Sequence, residues 1–316
     1  MGYVRRKSEI ITLSVGAILL ASAGLVGQQQ SSDSAALRRA NPPAQSTLTL
    51  LGTASGPGGH PQRAGIASLL TVNGTDYLID AGEAVSFQFA RAGHTGSIPQ
   101  VFLTHLHSDH TAGLLGLVAF RRSNMTVYGP PRTDDFIAAL VAADQFNAEI
   151  RDAGRAQGTS SGRNTSQERA VVGKVVQPGP VYRDDNISVD AIENTHYTFG
   201  TTPASRNKSY SYRVRTPDRV FVFTGDTGWS DALVQFASGA DVLVAEMVSP
   251  TELGPNPDFH MTREHLSPTE VGRLAAAAKV KMVIASHVRP SLAEDLAEIR
   301  RHFGGGAIIG EDLMKF

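Results

Sequence analysis

The chain of 316 residues contains no cysteine. That excludes a disulfide framework, a thiolate zinc finger, an iron–sulfur cluster and a cysteine nucleophile. It also excludes an acylated lipoprotein anchor, which needs a cysteine to carry the lipid. Any transition-metal site must therefore be built from histidine and carboxylate. An excess of charge of one sign is missing too: 29 Lys plus Arg face 30 Asp plus Glu, for a net charge of −1. Such a balance argues against a strong nucleic-acid binder, which is usually basic. With 31 glycines and 19% charged residues, the composition is that of a globular chain rich in turns. No repeat of fixed short period runs through it. Its length suits one large domain or two small ones.

The first 46 residues read differently from the rest. Arg5, Arg6 and Lys7 precede an apolar run over 10–26, and Ala21-Ser22-Ala23 is a small-x-small cleavage site. The pattern predicts a signal peptide over 1–23 and a polar, flexible tether over 24–46. The alternative is an uncleaved membrane anchor, for which the run is short and interrupted by glycine. The expected location is the periplasm or the outside of the cell, reached by a general or twin-arginine export route. The mature chain is then mildly acidic, and without disulfides its rigidity must come from its core or from bound metal.

From residue 47 to 316 strands and helices mix along the whole length, which predicts a layered α/β domain. Strands are expected at 47–51, 66–72, 77–80, 100–104, 125–128, 170–177, 181–182, 187–193, 209–215, 220–224, 241–246, 281–285 and 307–309. Asn73-Gly74 marks a hairpin, and Ser267-Pro268-Thr269-Glu270 is a complete helix capping box. Helices are expected at 110–122, 134–150, 229–237, 267–278 and 291–302. The stretch 151–169 is almost free of apolar side chains and reads as a surface insertion.

One segment stands apart. In Thr104-His105-Leu106-His107-Ser108-Asp109-His110, three histidines and an aspartate fall between an apolar strand and a helix. His105 and His107 alternate and so point to one side of an extended chain. A single cation can hardly use all four donors from so short a stretch, whereas two adjacent cations can if each completes its shell from elsewhere. His196, Asp226 and His287 are suited to complete them. Each follows the end of an apolar strand, where active-site loops gather.

His-x-His-x-Asp-His followed by His196, Asp226 and His287 resembles, in order, the motifs of the metallo-β-lactamase fold superfamily. The resemblance covers about residues 47–316 and implies a four-layer αββα sandwich of two mixed β-sheets flanked by helices. It implies two zinc ions, with manganese or iron as substitutes. His105, His107 and His196 would hold one, Asp109, His110 and His287 the other, and Asp226 would bridge them. Asp80, in Leu78-Ile79-Asp80-Ala81-Gly82, would support the ligand loop. Leu51-Gly52-Thr53, Ser209-Tyr210-Ser211-Tyr212-Arg213 and Gly225-Asp226-Thr227 are similar to the ribonuclease Z-like and arylsulfatase-like branch. In that branch a histidine placed like His265 faces the leaving group and is steadied by a glutamate placed like Glu246. Because His265 lies just before the Ser267 cap, the helix dipole is expected to lower its pKa.

The resemblance implies an exported hydrolase in which a water shared between the two metals attacks an ester-type bond. A phosphodiester or a sulfate ester is the expected substrate. Asp109 would accept a proton and His265 would serve the leaving group. Arg63, Arg206, Lys208, Arg263 and Arg289 are candidates to bind an anionic small molecule. Loops over 56–60, 144–170 and 249–263 should set specificity, the last as a stiff, proline-rich wall. Ribonuclease Z usually carries a long tRNA-gripping arm between the positions of His196 and Asp226. Here only 29 residues separate them, so tRNA maturation is not expected. No nucleic-acid or membrane partner is expected of the mature chain, and a homodimer is compatible with it. The rivals are a lactonase, a β-lactamase-like enzyme, against which Asp226 counts, and a metal-binding protein without activity, which would be expected to lose ligands.

Overall fold

A computed structural model describes residues 46–56, 60–156, 169–198, 207–253, 259–289 and 293–316. The signal-peptide and tether expectations, Arg206 and the centre of the 151–169 insertion lie outside these residues.

The first sheet is formed by β1 (Ser46–Gly52), β2 (Ala67–Val72), β3 (Thr75–Ile79), β4 (Gln100–Phe102), β5 (Met125–Gly129) and β6 (Val171–Val175), in that order. Its first three strands are antiparallel and the rest parallel. The second is formed by β7 (Gly179–Arg183), β8 (Ser188–Glu193), β9 (Tyr210–Arg215), β10 (Val220–Phe223), β11 (Val242–Glu246), β12 (Met282–Ser286) and β13 (Gly306–Ile309). It is antiparallel from β7 to β10 and parallel from β10 to β13.

The period-two pattern of the strands builds the layers. Leu48, Leu50, Leu70, Tyr77, Ile79 and Phe102 turn inward and meet Val189, Tyr210, Tyr212, Phe221, Phe223 and Val244 of the other sheet. Their neighbours turn outward. Leu51, Leu69, Leu78, Val101 and Leu103 lie under α1 (Val85–Arg91), α3 (Leu114–Phe120) and α4 (Thr133–Ala156). Val222, Leu243, Ala245, Val283 and Ala285 lie under α5 (Asp231–Ala237), α8 (Pro268–Ala277) and α9 (Ala293–His302). Each side chain buried in this way contributes roughly 1.5–3 kcal/mol. The result is the αββα sandwich.

Local chemistry explains most departures from expectation. The helix expected at 110–122 is two: α2 (Ser108–Thr111) and α3. The chain breaks at Gly113, whose N–H donates to Ala81 O. A Cβ there would lie 2.2 Å from Gly82 O, so the backbone itself packs at this point. Helix α1 was not expected; its N-cap is Ala84, at φ +64° and without a side-chain cap, so no capping signal marks it. Helix α4 runs on to Ala156, into the expected insertion. The expected wall at 249–263 contains α6 (Pro250–Leu253) and α7 (Phe259–Glu264), while 254–258 lie outside the described residues. The capping box forms as expected: Ser267 Oγ accepts from Glu270 N, and Ser267 N donates to Glu270 Oε2 at 2.9 Å.

Candidate metal centre

Six strand ends converge on one edge of the sandwich. Asp80 follows β3, His105 follows β4, His196 follows β8, Asp226 follows β10, Glu246 closes β11 and His287 follows β12. The two sheets are tied there by the Tyr212 hydroxyl, which donates to Leu103 O at 2.8 Å, and by Tyr210 N, which donates to Thr104 O at 2.9 Å.

The donors form three overlapping groups in which all ligand atoms lie within 4.8 Å of one another. One comprises His105, His107, His196 and Asp226; another Asp109, His110, Asp226 and His287. The third comprises Asp226, Glu246, His265 and His287. All seven side chains expected to bind metal are thus brought together, and Asp226 belongs to every group. In the third group Glu246 is already committed. Its Oε1 accepts from Leu266 N at 2.7 Å and Thr227 N at 3.2 Å, and its Oε2 lies 2.9 Å from His265 Nδ1.

The donor set fits cations on one physical test. His105 Nε2, His110 Nε2 and Asp226 Oδ1 are buried and have no hydrogen-bond partner among the described residues. Unpaired buried polar atoms of this kind are costly unless something else satisfies them. They also converge, His110 Nε2 lying 3.2 Å from Asp226 Oδ1 and His105 Nε2 3.7 Å from Asp226 Oδ2. His287 Nε2 lies 3.3 Å from both Asp109 Oδ2 and Asp226 Oδ2.

A supporting layer orients these rings. Asp80 accepts from Thr104 N at 2.8 Å, from the Thr104 hydroxyl and from His110 Nδ1 at 2.9 Å. That leaves His110 Nε2 as the nitrogen facing Asp226. Asn194 Oδ1 accepts from His196 N, and its amide donates to Thr224 O. Gly225 is required: at φ +58° a Cβ would sit 2.8 Å from Thr104 Cβ and 2.9 Å from Tyr210 O. Asp80 and His287 take left-handed backbone at φ +57° and +56°, a strained choice common where function fixes a side chain.

Electrostatics follow the crowding. Burial, then the neighbouring His110, hold His105 well below the ordinary histidine range. Burial likewise lowers His196 to about 4 despite Asp226. Burial opposes the ionisation of Asp226, but His287 and His110 outweigh it and hold its carboxyl well below the usual value. His265 departs from expectation. Burial opposes its charge, yet Glu246 overcomes burial and lifts the imidazole to about 9 rather than lowering it. A carboxylate in hydrogen-bond contact outweighs a helix dipole acting beyond the first turn.

A cavity of about 270 Å³ opens on His107, Asp109, Asp226, His265 and His287. Of the five candidate anion-binding side chains, Arg289 lines it. Arg63 instead donates to Thr53 Oγ1 and Gly310 O, each at 2.7 Å, and serves the fold. Lys208 is paired with Glu193 at 2.6 Å. Arg263 lies in α7. Tyr197 was not among the expected residues; its ring centre lies 4.7 Å from that of His196 and 5.5 Å from that of His107. A residue following a ligand directly in sequence was the only available signal.

A family model described as a beta-lactamase superfamily domain matches residues 75–288. The chain therefore belongs to the metallo-β-lactamase superfamily and is a metal-dependent hydrolase. More particularly, it is 30% identical over 285 residues to a ribonuclease Z of Mycolicibacterium paratuberculosis (strain ATCC BAA-968 / K-10), across 84% of this chain and 96% of that one. Its fold is similar to the metallo-beta-lactamase fold protein YhfI from Bacillus subtilis (TM-score 0.64, 18% identity, 86% of this chain and 98% of that). It is similar also to a diphosphatase from the PhnP family (TM-score 0.59, 18% identity, 86% and 97%).

Proposed function

We propose that this chain is a binuclear zinc hydrolase that cleaves an ester-type bond in an anionic small molecule, a phosphodiester or a sulfate ester. One observation carries the reading: a single carboxylate, Asp226, belongs both to the donor group of His105, His107 and His196 and to that of Asp109, His110 and His287. His105, His107 and His196 would hold one cation, and Asp109, His110 and His287 the other. The all-nitrogen-and-oxygen donor set suits zinc and also accepts manganese or iron. Bound there, the cations supply Lewis-acid polarisation and the means to make water a nucleophile at neutral pH.

The chain's own groups do the rest. Asp109, 3.3 Å from His287 Nε2, accepts a proton as the attacking water adds. Glu246 fixes His265 at the cavity wall, leaving its Nε2 edge to donate to the leaving oxygen. The ribonuclease Z and diphosphatase relatives support a phosphoester over a lactone or lactam. Against transfer-RNA processing stands the short His196–Asp226 interval, which also has to supply β9 and β10. The basic, apolar and small-residue pattern of residues 1–23 supports export to the periplasm or beyond.

The test is turnover by metal-loaded protein of bis(p-nitrophenyl) phosphate, p-nitrophenyl sulfate, a chromogenic lactone, a chromogenic β-lactam and a precursor transfer RNA. Metal-dependent turnover of the phosphodiester or sulfate is expected. Turnover confined to the lactone, the lactam or the RNA overturns the reading. His105→Ala/His107→Ala should be inactive on every probe.

A further inference from the structure

The cavity beside the metal-binding side chains has a second wall made by Ser55, Gly56, Glu252, Leu253, Met261 and Arg289. Glu252, in α6, is held in place from several directions. It accepts from Ser55 Oγ at 3.2 Å and from the main-chain N–H groups of Arg289 at 3.3 Å and Ser249 at 3.5 Å. Its Oε2 lies 3.6 Å from Arg289 Nε. Glu252 therefore faces the Nε edge of the guanidinium and leaves the Nη edge to point elsewhere. Nη2 stands over Gly56, where an added Cβ would lie only 3.3 Å from it. Neither Nη atom has an acceptor among the described residues, and the Arg289 side chain is 53% exposed.

A guanidinium carries five N–H donors in a planar fork that matches an oxyanion. Here one edge is engaged by a carboxylate and the other is open to the cavity. The Glu252 charge weakens long-range attraction to anions in general but leaves the short, paired hydrogen bonds of the Nη edge intact. Such a site selects by geometry. The remaining wall, Leu253 and Met261, offers only apolar surface.

We propose that Arg289 selects the substrate of this hydrolase by gripping an oxyanion carried outside the scissile bond, with Glu252 as the positioning residue behind it. The substrate class is then a compact ester with an apolar body and a carboxylate, sulfate or phosphate of its own. The inference rests on the ester-hydrolase reading above.

A matched pair of phosphodiesters tests it: p-nitrophenyl 4-carboxybutyl phosphate, which bears a free carboxylate, and its methyl carboxylic ester, which does not. The selectivity of the metal-loaded enzyme is the ratio of kcat/KM for the first over the second. In Arg289→Ala that ratio should fall on the order of 10- to 100-fold, as expected for a lost charge-assisted pair, and through KM rather than kcat. Arg289→Lys should recover part of it, and Glu252→Gln should lower it less, in the same direction. In calorimetry on the same proteins, glutarate should bind the wild type more tightly than Arg289→Ala. A ratio unchanged in Arg289→Ala, or an equal loss on both esters, overturns the proposal. If the wild type cleaves neither ester yet binds glutarate through Arg289, the ester reading fails and the selectivity site stands. If it cleaves both with a ratio insensitive to Arg289, the reverse holds.

Discussion

His265 Nδ1 lies 2.9 Å from Glu246 Oε2, and both side chains are buried at the rim of the His/Asp cluster. The two are 19 residues apart in sequence, one at the end of β11 and the other just before α8. The same glutamate accepts from Leu266 N, so it fixes both the ring and the backbone that carries it. A ring held at Nδ1 presents Nε2, and only Nε2, to whatever enters the cavity.

That contact makes Glu246→Gln informative. The amide keeps the shape but loses the charge that holds the ring. Turnover should fall by roughly 10- to 100-fold, the range for partners that orient an active-site histidine. Bound metal, measured by elemental analysis, should stay at the wild-type level, because Glu246 already spends its oxygens on His265, Leu266 and Thr227.

Chelation should weaken the fold as well as stop the reaction. The cluster buries polar atoms that have no partner among the described residues. Ligand binding to the native state adds stability by mass action, about 2.7 kcal/mol at a free concentration of 100 Kd. Zinc added back to chelator-treated protein should raise the melting temperature by several degrees, measured by calorimetry, and restore turnover in parallel. In Asp226→Ala the same addition should give a clearly smaller rise.

Gly225→Ala should be destabilising although it removes no interaction. The left-handed backbone alone costs alanine about 1–2 kcal/mol, and the overlap with Thr104 and Tyr210 O adds about 1–3 kcal/mol. Chemical denaturation should report a loss on the order of 2–5 kcal/mol. Because Asp226 is the next residue, weaker metal binding should accompany it.

Far from the site, Asp184 makes stability depend on pH. Burial opposes its charge, but the Tyr77 hydroxyl at 2.6 Å, the Ile187 and Asn186 N–H groups and the Tyr182 hydroxyl hold its carboxyl below the ordinary value of 3.8. A folded-state pKa below the unfolded one adds stability that is present above pH 3.8 and is lost as pH falls through the folded value. Asp184→Ala should therefore be less stable than wild type at pH 7, and the gap, read from denaturant midpoints, should narrow as the pH drops below about 3.8.

How much of this was legible in the chain varies with the kind of interaction. Local chemistry could be read directly: Asn73-Gly74 turns a hairpin, Ser267 and Glu270 cap α8, and the alternation within each strand sorts its two faces. The histidine-rich segment at 105–110 could be read because its donors are neighbours in sequence. Helix α1 could not, since Ala84 caps it through backbone conformation alone. The split at Gly113 could not, since its cause is the carbonyl of Gly82, which packs there only once the fold has formed.

The sequence by itself determined the metal chemistry. Without cysteine the donors had to be imidazole and carboxylate, and the crowding of four of them into 105–110 is what led to the expectation of two centres. Only the tertiary structure decided which basic side chains serve the fold and which one lines the cavity. Arg63, Lys208 and Arg289 look alike in a sequence, but partners distant along the chain bind the first inward, pair the second and leave one edge of the third open. It also decided the direction in which the pKa of His265 is shifted. The helix dipole is a local property and pointed one way, whereas a carboxylate brought into contact across the fold acts at shorter range and prevails.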